Sequence, residues 1–215
     1  MSTQSAPEIE ARVVSEFQRV GVKMFFQDQA MFDRDRMIEL FHRWIQEDRL
    51  PGTLIDVHDY THVPGGPGVL LVAHEWHLRT DQANGRIGLE HELKREGTGT
   101  VAERLRGAVL HVLEACAAME KDTSGDNPVR FVAGEMVFRF TDRLAVPATE
   151  SAFYEIRGEL ENLLTDLYGG AQLECEREGH ERGPLTIRVR VLGDGDWTGQ
   201  RSPLVGWVAV SKPCV

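Results

Sequence analysis

The sequence predicts an α+β fold: duplicated strand-helix-strand-strand modules in a mainly antiparallel sheet, with the helices packed on one face. Three observations carry that expectation. Apolar residues switch between a period of two and a period near 3.6 along the chain. The order strand, helix, strand, strand occurs twice. The segment from a closing glycine to a restart proline has nearly the same length in both halves, Gly52 to Pro67 and Gly170 to Pro184. The expected organisation is a flexible N-terminal tail over 1–8, a first module over 9–122 with an extra hairpin strand and a linking helix, and a second over 129–215 with a C-terminal tail strand. The two modules are expected to form one compact domain.

Each element has its own signal. In IEARVVSEFQRV, Ile9, Val13 and Phe17 stand four apart as in a helix, while Val13-Val14 equally suits the opening of a strand. VKMFF, after Gly21, alternates as a strand. From Asp33, an N-cap candidate, Met37, Ile38, Phe41, Trp44 and Ile45 share one helical stripe, and Pro51-Gly52 stops the helix. TLIDV continues into HDYTH, which puts His58, Tyr60 and His62 on one face. VPGGPG imposes a turn, after which GVLLVAHEWHLRT reads as one strand and RIGLEHELKRE returns antiparallel to it past Asn84-Gly85.

Thr100 and Glu103 have capping-box spacing ahead of a helix with Leu105, Val109, Val112, Leu113 and Cys116 on its apolar band. KDTSGDNP ends it and links the halves. EMVFRF is a strand, and Pro147 and Thr149 open a helix whose stripe includes Phe153, Ile156, Leu160 and Leu164. Gly169-Gly170 closes that helix, and AQLECERE and PLTIRVRVLG follow as strands. PLVGWVAV, after GDGDWTG, is a counterpart of the first module's returning strand.

Composition removes several function classes. The formal charge of −10 repels nucleic acid and anionic membrane surfaces, and no basic patch offsets it. No window approaches the roughly eighteen apolar residues of a membrane span. Three cysteines, Cys116, Cys175 and Cys214, lie far apart without a C-x-x-C pair, and the N-terminus lacks a signal-like apolar run. A cytoplasmic setting is the expectation.

Chemistry-bearing residues concentrate between His58 and Glu92, which hold five of the eight histidines. A metal site built on His58, His74 and His91, with Glu75, Glu90 or Glu92 near by, would suit zinc, manganese or iron. HEWH lacks the spacing of the helical H-E-x-x-H motif, since His74 and His77 alternate faces of a strand. A four-residue loop from Asp81 to Asn84 sets His74 opposite His91; a two-residue Asn84-Gly85 turn instead sets His77 opposite Glu92 and Glu75 opposite Lys94. The leading expectation is binding of a small ligand or a protein partner without catalysis, with Tyr60, His74, Glu75 and Trp76 lining a seam between modules and Trp197 and Trp207 covering it. Self-association into a homo-oligomer accompanies it. A metal-dependent enzyme and a structural subunit are the alternatives.

The phrases HVPGGPGVLLVAHE and FYEIRGELENLLTDLYGG resemble stretches of a group of bacterial proteins without an assigned function, which implies a bacterial origin and no catalytic residues. In topology the repeated order is similar to gyrase-inhibitor-like small-molecule-binding domains, in which two such modules face each other across a ligand groove.

Overall fold

The computed structural model describes Val14, Phe17 and residues 19–94, 99–179 and 182–192. The expected tail over 1–8, most of the run from Ile9, and the C-terminal strand with Trp197, Trp207 and Cys214 lie outside the described residues.

β1 (Val20–Phe26) is buried along its whole length. It is central because both of its edges are paired, with β5 (Gly88–Leu93) on one side and β6 (Phe131–Phe140) on the other. With β2 (Leu54–Tyr60), β3 (Gly68–Ala73), β4 (Trp76–Asp81), β7 (Gln172–Glu178) and β8 (Leu185–Leu192), the described strands form one antiparallel sheet in the order β2-β3-β4-β5-β1-β6-β8-β7. In each half the strand after the helix, β2 or β7, lies at a sheet edge. In the second half β8 returns directly beside β6, whereas in the first the β4–β5 hairpin stands between β3 and β1.

The three expected helices form where their caps and stripes place them. α1 (Arg34–Gln46) starts at Asp33, whose side chain accepts from the Arg36 N–H, and buries Met37, Leu40, Phe41 and Trp44 against β2 and β3. α2 (Val101–Asp122) begins with the Thr100–Glu103 capping box and packs on β1 and β5. α3 (Glu150–Leu167) starts at Thr149, buries Ala152, Ile156, Leu160 and Leu164, and packs on β7, β8 and α2. Asp122, at the end of α2, accepts from Trp44 Nε1 at 2.8 Å and Arg49 Nε at 2.9 Å, which ties the ends of α1 and α2 together. Val22 and Met24 of β1, Leu71, Leu78, Leu89, Phe138 and Ile187 join these stripes in one core. Strand alternation therefore sends every second side chain to the opposite face, which is helix-free among the described residues.

One expected element divides. GVLLVAHEWHLRT is two strands, β3 and β4, joined by a two-residue turn at His74-Glu75, with Val72 opposite His77 and Leu71 opposite Leu78. Two-residue hairpin loops normally advertise themselves through Gly or Asn at positive φ. Neither His74 nor Glu75 has positive φ, so the turn carries no such signal. Backbone bonds from His74 N–H to Thr53 O and from Lys94 N–H to Glu75 O, both 2.9 Å, hold it against its neighbours. The next turn follows the usual chemistry: Asn84 and Gly85 have φ of 58° and 70°. It sets His77 opposite Glu92.

Candidate functional site

The strand registers align one residue from every strand into a single row across the helix-free face: His58, Leu70, Arg79, Glu90, Lys23, Val137, Arg188 and Glu176. A second row runs Val72, His77, Glu92, Gly21, Arg139, Thr186 and Glu178. Charged side chains from β4, β5, β1, β6 and β8 therefore meet in the middle of the sheet.

Two glycines let these side chains reach across strands. Lys23 Nζ passes β5 to Asp81 Oδ2 on β4 at 2.6 Å, over Gly88, where a Cβ would stand 2.8 Å from Lys23 Cε. Glu90 reaches across β1 to Arg139 on β6, Oε2 lying 3.1 Å from the guanidinium, over Gly21, where a Cβ would stand 2.3 Å from Glu90 Oε1. Glu90 also accepts from Arg79 at 2.8 Å. Lys23 and Asp81 side chains are only 5% and 4% exposed, and Glu90 1%. Burial raises the Asp81 carboxyl, but the charges of Lys23, Arg139 and Arg79 outweigh it and hold it below its ordinary value.

Beside this group, Arg86 makes a bidentate pair with Glu135 at 2.8 and 3.0 Å and lies 3.7 Å above the Phe25 ring. Arg188 joins Glu135 at 2.7 Å and also holds Glu178. Here too burial favours the neutral Glu135, and Arg86 and Arg188 reverse the effect. Above these groups opens a pocket of about 240 Å³, walled by the Ala83–Arg86 loop on one side and by Gly179 and Pro184 on the other, with Lys23, Val137 and Thr186 among its floor residues. It lies over β1 and β6, where the two halves of the chain meet.

The residues anticipated for a site fall elsewhere. His58 and Tyr60 are neighbours on exposed β2, with rings 6.1 Å apart. His74 and Glu75 form the β3–β4 turn, His74 Nδ1 lying 2.8 Å from Glu75 Oε1. Trp76 is buried, donates to Pro51 O at 3.2 Å and packs on His91 at 5.2 Å. His91 is buried on the helix side, 5.1 Å from the His111 ring of α2. The structure thus pairs His58 with Tyr60 and Trp76 with His91, but does not gather His58, His74 and His91. Among the described residues no group of three or more His, Cys, Asp or Glu is arranged to hold a metal ion.

Sequence reasoning missed Lys23, Arg79, Asp81, Arg86, Glu135, Arg139 and Arg188. For Lys23, Arg79, Asp81, Glu135, Arg139 and Arg188 the signal was present locally as charges among apolar residues in VKMFF, LRTD, EMVFRF and LTIRVRVL. Only the strand order makes them one cluster. Among the described residues no helix is long and apolar enough to cross a membrane. Comparisons with protein-family models, with curated proteins and with solved structures return no match for this chain.

Proposed function

We propose that the chain binds a small polar molecule in the pocket on the helix-free face without transforming it. The observation that carries the reading is burial of Lys23, Asp81 and Glu90 on a face that none of the described helices covers. Desolvating three charges is costly, and apolar residues of similar volume stabilise a sheet at least as well. A fixed array of charges beneath a pocket is instead the arrangement of a recognition site. Each of these three buried charges stands in an ion pair, which favours binding over catalysis at this pocket.

The reading extends to a cytoplasmic, duplicated and self-associating protein. Free thiols at Cys116 and Cys175 suit a reducing compartment. The pairing of β1 with β6 at the centre, with β2 and β7 at the edges, suits duplication. The apolar side chains exposed on and beside edge strand β2 suit self-association.

The test is a fragment screen on ¹⁵N-labelled full-length protein, read by amide shifts. Hits should perturb Phe25, Gly88, Arg139 and Thr186 together. Hits that gather at the His74-Glu75 turn, or none at the pocket, would overturn the reading.

A further inference from the structure

Resting on that reading of the pocket, we propose that its ligand is a small organic anion whose carboxylate or phosphate group is held by the guanidinium groups of Arg86 and Arg139. Of the charged side chains that line the pocket, Arg86 and Arg139 are the most exposed, ahead of Glu178 and Arg188, while Lys23 and Asp81 lie deep. The acids lie deep, with Glu90, Asp81 and Glu135 side chains 1%, 4% and 12% exposed. The arginines lie above them: Arg86 is 38% and Arg139 24% exposed. The two best-exposed charges that a molecule meets in the pocket are therefore guanidinium groups, in a chain whose formal charge is −10.

Both arginines are held in place by the acids below and keep donors to spare. Arg86 gives two N–H groups to Glu135, and its plane is fixed by that bidentate pair and by the Phe25 ring beneath it. A guanidinium has five N–H donors, so three remain. Arg139 meets Glu90 at 3.1 Å and Asp81 at 3.6 Å through the same terminal nitrogen. Two planar donors fixed by buried carboxylates, from a loop and from a strand, are suited to an oxyanion. The acids that border the pocket are already engaged, Asp81 by Lys23 and Glu178 by Arg188, so they offer a cationic ligand less. The pocket volume and the overall charge restrict the ligand to a small molecule and exclude a polyanion such as nucleic acid.

The experiment compares matched probes on the full chain: benzoate, phenyl phosphate, neutral benzamide and cationic benzamidine, titrated by amide shifts at the pocket. Benzoate or phenyl phosphate should bind about tenfold tighter than benzamide, and the stronger of the two identifies the preferred oxyanion. Arg86→Gln should remove that advantage while leaving the circular dichroism spectrum unchanged. On the unaltered protein, raising salt from low to physiological strength should weaken the anions alone. Benzamide or benzamidine binding as tightly as the anions would overturn the anion inference and leave the pocket reading standing. Absence of pocket shifts with all four probes, together with an empty fragment screen, would overturn both.

Discussion

Gly21 is a structural partner of Glu90, because the missing side chain is the path by which that carboxylate reaches Arg139. Gly21→Ala puts a methyl 2.3 Å from Glu90 Oε1 and should cost about 2 kcal/mol in urea denaturation. Gly107, inside α2 with open space around its Cα, is the contrast: Gly107→Ala should add about 1 kcal/mol. Equal effects at the two sites would refute the crossing argument. The Lys23–Asp81 pair yields a second prediction. Lys23→Met leaves Asp81 buried with the Ala83 N–H and the more distant Arg139, and should cost about 3 kcal/mol, most of it recovered in Lys23→Met with Asp81→Leu. Asp81 is held below its ordinary value in the folded chain, so its contribution is present above the ordinary carboxylate value and is lost as pH falls through the folded one. Acid titration of the Asp81→Leu protein should therefore show a weaker loss of stability in that range than the parent.

The contact between α2 and β5 contains two histidines that no described hydrogen bond serves well. Both ring nitrogens of His91 are buried without a partner, as is His111 Nδ1. Burial pushes both rings toward the neutral form, His91 the more strongly; His111 and His77 add to this at His91, while Glu114 opposes it at His111. Because the folded value is depressed, the unfolded chain takes up protons first. Stability should be flat above about pH 6.5 and fall below it, by up to about 1.4 kcal/mol per pH unit for each histidine. His91→Phe keeps a ring against Trp76 and His111 and should flatten that slope; an unchanged midpoint-against-pH curve would refute the account. The same contact shows how far the elements were legible. α2 declared itself through Thr100, Glu103 and a run of apolar residues, all local. The His74-Glu75 turn did not, because it is held by backbone bonds to Thr53 and Lys94, which are set by neighbouring strands and leave no mark on the two residues themselves. A strand through that turn would carry His74 on a sheet face as a candidate ligand, whereas the connection leaves its side chain half exposed.

Strand order decides what the molecule presents to its surroundings, and it is the level least written in local sequence. Lys23 and Arg139 are 116 residues apart in the chain, yet their strands are adjacent, and nothing in VKMFF or EMVFRF specifies that β1 pairs with β6. Among the described residues the same order leaves two open edges with different chemistry. β7 displays Glu174 and Glu176, which pair with Arg190 and discourage another strand from docking. β2 carries Ile55, 54% exposed, and Tyr60, with Val63 in the turn that follows. Among the described residues this is the edge at which apolar area and unpaired backbone coincide, so the self-association proposed above belongs there. Ile55→Lys places a charge on that edge and should convert the assembly to a monomer in sedimentation velocity. Leu144→Lys, at an equally apolar but isolated position in the β6–α3 connection, should leave it unchanged. Because the pocket lies over β1 and β6, several strands from this edge, the Ile55→Lys monomer should still take up the anionic probes. Loss of probe binding on dissociation would show instead that the partner copy completes the site.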